Sequence, residues 1–189
     1  INIVDAGKKE MFEEVKIKDN SEIDLVGAKK IATIDPLVMD FNEVTLSDGI
    51  INVQDFFDIH SSITFPSDIT ISGNLDSIDQ ANLLISLSSD ISNKSFVNLL
   101  LKDDEQLIES DAASITHLLN NDVSVYDGFS PTVIITENEL TPQNALALSR
   151  GFVDLSNKSI LQGESAQLDL IAQLSVVEGL SIQGLKVDR

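Results

Sequence analysis

Cysteine and tryptophan are absent from the 189 residues, and tyrosine occurs once. Without cysteine the chain can form neither a disulfide bond nor a thiolate zinc site. Carbohydrate recognition relies on exposed aromatic rings, so the shortage of Trp and Tyr disfavours it. The apolar residues, 42% of the chain, are mostly aliphatic. This composition favours layered packing of leucine and β-branched side chains over an aromatic-lined ligand pocket.

Basic residues are scarce as well. Twelve Lys and Arg stand against 31 Asp and Glu, which gives a net charge of −19. This balance argues against nucleic acid and anionic membrane surfaces, because both bind through clustered positive charge. No basic residue occurs between Ile31 and Asn93, where ten acidic residues lie. Such an acidic surface aids solubility, and it also suits divalent cations or calcium-rich surroundings.

Long apolar runs are missing too. No stretch of eighteen apolar residues occurs, so we expect no transmembrane helix. The chain begins at Ile1 rather than Met, which is typical of a processed chain or a fragment of a longer protein.

An internal duplication is the most specific pattern in the sequence. The tetrapeptide SNKS occurs at 92–95 and again at 156–159. When residues 58–95 are laid on 122–159 without a gap, 11 of 38 positions are identical, including Phe65 with Phe129. Self-similarity of this kind predicts repeated structural units.

Each copy changes its apolar period from two to about 3.6. Alternating residues first predict a strand, at Ile69 and Ile71 in one copy and at Val133 and Ile135 in the other. Residues at helical spacing then follow a capping residue. The first copy has Ser77 as N-cap before Ile78, Ala81, Leu84 and Ile85, and the second has Thr141 as N-cap before Pro142.

Two further units follow the same plan. One has strand residues Val44 and Leu46, a turn at Asp48-Gly49 and a cap at Asn52; the other has Leu99 and Leu101, a turn at Asp103-Asp104 and a cap at Ser110. The predicted strands are about 25, 29 and 35 residues apart. Weaker strands over residues 22–31 and 179–187 are expected to cap the series.

Short strands joined through helices must cross over, and crossover connections make parallel sheets. We therefore predict an α/β fold of irregular strand-turn-helix repeats stacked as a short parallel solenoid. Residues 1–20 form an N-terminal helix or arm, and residues 21–189 form a single repeat domain. The alternative is a globular α+β domain or a β-sandwich in which the helical segments, such as NLLISLSSDI, are strands.

Two segments resemble known repeats. ITISGNL and VIITENEL resemble the LxLxxNxL core of leucine-rich repeats. SDAASITHLLNNDVSVYDG followed by VIITENELTPQNALALS is similar to the strand-turn-helix repeats of large secreted bacterial surface proteins, including RTX-type adhesins. The resemblance covers residues 40–160. It implies a place in a large secreted bacterial surface protein. From the internal repeat, the acidic balance, the absence of cysteine and the scarcity of candidate catalytic groups, we expect a non-catalytic, extracellular module of a secreted or cell-surface bacterial protein, with a structural or adhesive role and a protein or cell-surface partner. The Gly-Gly-x-Gly-x-Asp calcium motif of such proteins is absent.

The stretch NVQDFFDIH, residues 52–60, concentrates polar groups that could suggest a metal or acid/base site. On a helix Val53, Phe56, Phe57 and His60 share one face, and Asp55 and Asp58 turn away from it. We therefore predict a capped apolar helix with His60 at the edge of its buried face. His117, flanked by leucines on a predicted helix, is interpreted as a structural residue. No motif of nucleophilic catalysis is present, so we do not predict an enzyme.

Carboxylates at turns leave one cofactor open, which is calcium. The candidates are Asp103-Asp104-Glu105, Asn120-Asn121-Asp122 and Asp127-Gly128. Their spacing is not that of a calcium loop, and turns favour these residues for conformational reasons, so we interpret them as turn residues. Two alternatives remain, a peptide- or carbohydrate-binding module and a carboxylate-dependent enzyme. The enzyme would require a concave pocket with clustered Asp and Glu.

Overall fold

The computed structural model describes residues 15–16, 21–33, 39–40, 44–103 and 106–188, in which helices alternate with short strands. The helices are α1 Leu25–Ala32, α2 Val53–Ile59, α3 Ile78–Leu87, α4 Ala112–Leu119, α5 Pro142–Arg150 and α6 Leu168–Leu174. The strands are β1 Val15–Lys16, β2 Ser21–Ile23, β3 Met39–Asp40, β4 Val44–Leu46, β5 Ile50–Asn52, β6 Asp68–Leu75, β7 Asn93–Leu101, β8 Ile108–Ser110, β9 Val133–Ile135, β10 Glu139–Leu140, β11 Ser159–Ile160, β12 Ser165–Ala166 and β13 Lys186–Val187. The predicted α/β class is confirmed.

The strands pair in parallel within small sheets, as the short crossover connections predict. Parallel partners are β1 with β3, β2 with β4, β5 with β6, β8 with β9, β10 with β11 and β12 with β13. Isolated parallel bridges join Thr45 to Thr64, Leu100 to Ser124 and Ser159 to Ser181. Paired residues lie 19 to 25 positions apart in sequence. The predicted strands at Val44, Ile69, Leu99 and Val133 are present in β4, β6, β7 and β9. Their longer spacings exceed the separation of paired residues, because β5, β8 and β10 are additional strands that the apolar pattern does not show.

Contacts divide the chain into two compact units. Of the described residues, the first unit comprises those up to Gly73 together with Leu84–Val97, and the second comprises Asn74–Leu83 together with those from Asn98 onward. In the first unit α1 packs against α2; in the second α4 packs against α5, and α5 against α6.

The two copies of the duplication place matched residues at matching positions of the fold. On the predicted strand and helix of each copy, four matched pairs are buried in both copies: Ile69 and Val133, Ile71 and Ile135, Ala81 and Ala145, and Leu84 and Leu148. The first two pairs lie on strands and the others on α3 and α5, as predicted. The alternative in which these helical segments are strands is therefore wrong.

Most helices begin directly behind a strand with a side-chain cap. The predicted caps Asn52, Ser77 and Thr141 accept hydrogen bonds from the backbone N–H three residues ahead, at 2.8, 3.2 and 3.3 Å. Helix α4 is capped one residue later than predicted. Ser110 pairs in β8, and Asp111 accepts the bond from the Ser114 N–H at 2.8 Å. A cap of this kind stabilises a helix by about 1 kcal/mol.

Two helices receive a second cap from the neighbouring strand segment. Asp48 Oδ2 accepts a hydrogen bond from Leu25 N at 2.6 Å, and the Glu137 carboxylate accepts one from Ala112 N at 3.0 and 3.1 Å. Helix α1 follows β2, which pairs with β4, and Asp48 lies two residues after β4. Helix α4 follows β8, which pairs with β9, and Glu137 lies two residues after β9. Beside α2 the equivalent residue is Gly73, which follows Ser72, the pairing partner of Asn52. These carboxylates tie consecutive strand-helix units together at helix N-termini, where negative charge is favoured.

The ends of the chain differ from the prediction. Residues 22–31 are a strand only as far as Ile23, because Asp24 caps a helix that buries Ala28 and Ile31 at helical spacing. At the other end only β13 and the bridge at Ser181 form in residues 179–187. Helix α6 was not predicted; Gln167 precedes it without a side-chain capping bond. The predicted N-terminal helix or arm lies outside the described residues, except that Val15–Lys16 form a strand.

Candidate interaction loop

The stretch from Asn52 to His60 is a capped helix, as predicted. Phe56 is fully buried, and the half-buried His60 ring stacks on it with centroids 5.9 Å apart. His60 Nδ1 lies 2.9 Å from the carbonyl oxygen of Phe57. His60 thus packs at the edge of the buried face, and this prediction is confirmed.

Asp55 does not turn away from the buried face, so that prediction is wrong. The residue is 7% exposed, and its carboxylate accepts a hydrogen bond from Asn52 Nδ2 at 2.6 Å. The same carboxylate forms an ion pair with Lys29 of α1. The hydrogen bond between Lys29 and Asp55 in this pair raises the pKa of the Lys29 ammonium. Helix α1 supplies the partner that makes burial of the carboxylate tolerable. The local sequence of α2 could not show this contact.

Asp55 and Asp58 of this stretch lie in different surroundings. Asp58 is exposed and accepts a hydrogen bond from Gln54 Nε2 at 2.8 Å, whereas Asp55 is buried. Within the part of the chain that the structure describes, no three or more His, Asp or Glu residues are grouped so as to hold a metal ion. Asp55 is bonded by Asn52 and Lys29, and Asp58 is bonded by Gln54.

The remaining predicted candidates are turn and surface residues. His117 lies on α4 with its side chain exposed, which differs from the packing role that we predicted. Asn121 Nδ2 donates to the carbonyl oxygen of His117 at 2.9 Å, and Asp122 follows with a left-handed φ of 60°. These contacts agree with the interpretation of residues 120–122 as a turn. Residues 104 and 105 lie outside the described range.

An acidic cleft of about 520 Å³ lies within the second unit. Asp76 and Asp79, at the start of α3, line it together with Asp103 and Glu109. This is the concave, carboxylate-rich surface that the enzyme alternative requires. The first turn of α3 also lines the cleft, and its N–H groups favour anions, whereas the carboxylates favour cations. The cleft therefore selects no single class of ligand.

A second surface feature is the loop Tyr126–Pro131, which we term the aromatic loop. Tyr126 and Pro131 form an antiparallel bridge, and the Asp127 N–H donates to the Ser130 carbonyl at 3.2 Å. Just outside the bridge, Thr132 N donates to Val125 O at 2.9 Å. The loop is closed at its base by backbone bonds, as in a tight hairpin turn.

Asp127 holds the tip of the aromatic loop. Its Oδ1 accepts hydrogen bonds from the N–H groups of Phe129 and Ser130, both at 2.9 Å, and its Oδ2 lies 3.4 Å from Lys102 Nζ. The bonds from Ser130 and Phe129, and then the contact with Lys102, hold the pKa of Asp127 below its ordinary value. The next residue, Gly128, has a φ of 96° that a side chain would strain. The tip is thus ordered by polar bonds.

Phe129, at this tip, is 93% exposed. Burial of a phenylalanine side chain contributes about 1.5–3 kcal/mol to stability, and the fold does not gain that contribution here. A large apolar side chain held in solvent by an ordered turn is characteristic of a contact surface.

Phe152 stands beside this loop in a strained conformation. It follows the C-cap of α5 with a φ of 58°, and Val153 N closes the helix by donating to Leu148 O at 3.0 Å. Glycine is the usual residue at such a site, and a bulky side chain there costs on the order of 1–2 kcal/mol. Phe152 is nevertheless 67% exposed, with its ring 5.0 Å from that of Tyr126. Strain at an exposed position points to function.

We refer to Tyr126, Phe129 and Phe152 as the aromatic surface. Sequence reasoning singled out Phe129 only as the match of Phe65, and Asp127-Gly128 only as a turn. The signal that was missed is the order of residues, because Phe129 follows Asp-Gly and precedes Ser-Pro. A phenylalanine enclosed by Asp-Gly and Ser-Pro is expected in a turn rather than in the interior of a strand or helix.

In the described residues, every helix is too short or too polar to cross a bilayer.

Comparison with known proteins adds no assignment. No family model matches the chain, and neither a curated protein nor a solved structure matches it significantly.

Proposed function

We propose that the chain is a non-catalytic module of a secreted or cell-surface bacterial protein, with an adhesive role. The observation that carries the proposal is Phe129, which is 93% exposed on a loop whose conformation Asp127 fixes. An ordered, solvent-exposed aromatic side chain is the kind of residue on which protein contacts depend most strongly.

The framework beneath the loop supports this role. Parallel partners recur 19 to 25 residues apart, and Asp48 and Glu137 join one strand-helix unit to the next. This arrangement agrees with a short parallel solenoid, in which each unit buries its apolar side against its neighbours. Such a scaffold holds a binding loop in place with little loss of entropy on binding.

Composition and resemblance support the location. The chain has no cysteine and a net charge of −19, and residues 40–160 resemble the repeats of secreted bacterial surface proteins. A strongly acidic module stays soluble and resists unspecific self-association outside the cell.

Attachment under flow tests the proposal. The protein is displayed on a bacterium that does not adhere, and the cells are passed over glass coated with serum proteins. We expect several-fold more retained cells than for the double variant Phe129→Ser/Phe152→Asn displayed at the same density. The control is an unrelated acidic domain. Retention equal to that control would refute the adhesive role.

The acidic cleft favours a second candidate, a carboxylate-dependent enzyme or ligand-binding site. Asp76 and Glu109 line it from the start of α3 and from β8. Asp76→Asn and Glu109→Gln keep the size of the side chains while removing two charges. This candidate predicts that the pair abolishes hydrolysis of a panel of chromogenic glycosides and esters, on which the wild type must first show turnover. The absence of wild-type turnover on the whole panel leaves the adhesive proposal preferred.

A further inference from the structure

We infer that the aromatic surface recognises arginine side chains of a basic polypeptide. This inference rests on the proposed adhesive function and specifies the partner of that surface. It derives from three observations: exposed aromatic faces, the negative charge of the chain, and the engagement of three cations of the second unit in bonds within the chain.

The aromatic faces supply the first part of the site. Phe129 and Phe152 are largely exposed, and Tyr126 supports Phe152 from one side at a centroid distance of 5.0 Å. A guanidinium group is planar and weakly hydrated, so it stacks on such rings while keeping its hydrogen-bond donors at the edge. The lysine ammonium is more strongly hydrated and gains less from an apolar face.

Charge selects the partner. The chain carries a net charge of −19, and the exposed residues Asp122 and Asp154 follow the last residues of α4 and α5 by three and four positions. Asp154 is held in its charged form, because hydrogen bonds from Ser156 lower its pKa. A basic polypeptide is attracted to this region, and an acidic one is repelled.

Three cations of the second unit have partners within the chain. Lys102 Nζ bonds the Asp127 carboxylate, Lys158 Nζ donates to the Ile135 carbonyl at 2.8 Å, and Arg150 donates to the Gln173 side chain at 2.8 Å. These contacts direct each charge to an oxygen of its own chain. The faces of Phe129 and Phe152 are therefore open to a cation from a partner.

Two peptides of equal charge separate stacking from plain charge attraction. Fluorescently labelled nona-arginine and nona-lysine are titrated with the whole chain at physiological salt, and binding is followed by anisotropy. We expect nona-arginine to bind about fivefold more tightly, as cation–π contacts with two rings would give. Equal affinities for the two peptides would overturn the inference.

The variant Phe129→Ser/Phe152→Asn keeps the net charge of the chain. It should bind nona-lysine as the wild type does and lose the preference for nona-arginine. Leu168→Ser, at another exposed apolar residue of the same unit, is the matched control and should keep the preference. A preference that survives in the double variant would place arginine binding elsewhere and refute the inference. Circular dichroism confirms that each variant is folded.

A lipid surface is the competing partner for exposed phenylalanines. Sedimentation with phosphatidylcholine vesicles measures it, and we expect no binding. Vesicle binding that disappears in Phe129→Ser would overturn the inference in favour of a membrane. If displayed cells attach through the aromatic surface but the preference for nona-arginine is absent, the inference about arginine fails and the proposed adhesive function stands. If the cells do not attach, the proposed function fails.

Discussion

Two loops, one in each unit, carry phenylalanines at matched sequence positions. Phe65 in the first unit is half-buried, and its ring stacks on Phe56 with centroids 4.9 Å apart. Phe129 in the second unit is 93% exposed. The same residue type at equivalent positions of the duplication therefore contributes to packing in one loop and remains in solvent in the other.

The position of the bridge before each phenylalanine accounts for the difference. After the bridge residue Thr64, the first buried residue of the next strand, Ile69, follows five positions later. After the bridge residue Ser124, the corresponding Val133 follows nine positions later. The longer connection folds into the aromatic loop and carries Phe129 outward. A duplicated sequence can thus keep its scaffold and change its surface through one connection.

The largest expected effect is the loss of packing in the first unit. Phe56→Ala removes a fully buried ring that contacts Phe65 and His60, and should lower the free energy of unfolding by about 3–5 kcal/mol. Urea unfolding measures the change at constant m-value. Phe129→Ala is the matched control. A loss below about 1 kcal/mol for Phe56→Ala would show that the first loop is not built on this ring.

Asp55 tests the polar support of the same loop. Asp55→Ala removes the ion pair with Lys29 and the hydrogen bond from Asn52, and should lower the free energy of unfolding by about 1–3 kcal/mol. Asp58→Ala, three residues further on the exposed side, should change it by less than about 0.5 kcal/mol. Equal losses in the two variants would contradict the burial of Asp55.

The two matched phenylalanines give the most direct test. Phe65→Ala should lower the free energy of unfolding by about 1–2 kcal/mol, because it loses partial burial and a stacked pair. Phe129→Ala should lie within about 0.5 kcal/mol of the wild type. Thermal unfolding of both variants under one condition checks the difference. A loss of similar size for Phe129→Ala would mean that its ring packs in solution, and the comparison would then collapse.

Local signals predicted the scaffold well. Asn52, Ser77 and Thr141 were identified as caps because a short acceptor side chain precedes residues at helical spacing, and the structure places each at a helix start. Strand positions such as Ile69 followed from alternation. These features depend on residues within one turn of each other, so the linear sequence contains them.

Contacts distant in sequence account for the errors. The burial of Asp55 depends on Lys29, and the second cap of α4 depends on Glu137, 25 residues away. The aromatic surface combines Tyr126 with Phe152 through packing of ring on ring. No local periodicity records such pairs, and β-strands of two residues, such as β10, are too short to show an alternating pattern.

Phe152 tests whether the aromatic surface costs stability. Phe152→Asn removes the strain of a phenylalanine in the left-handed conformation, which should stabilise the fold by about 1 kcal/mol. It also removes the ring contact with Tyr126, which should destabilise the fold by about 1 kcal/mol. The free energy of unfolding should therefore change by less than about 1 kcal/mol. The reciprocal control is Asp122→Phe, at the same left-handed position after α4, which should destabilise by about 1–2 kcal/mol. If Asp122→Phe left the free energy of unfolding unchanged, the claim that Phe152 is strained would be contradicted.

The smallest effect is local and depends on pH. Asp127 has a lowered pKa in the folded chain, so the order that it gives the aromatic loop is fully present above the ordinary aspartate value of about 4 and is lost as pH falls through the lowered value. Amide NMR signals of Phe129 and Ser130 should therefore move only at acidic pH, and in Asp127→Asn they should show no such titration. In the described first loop the Phe65 ring stacks on Phe56, and no carboxylate holds it in place. The amide signal of Phe65 should therefore stay constant as long as the unit remains folded. Parallel movement of both loops would indicate general acid unfolding instead, because only the second loop depends on a charged side chain for its shape.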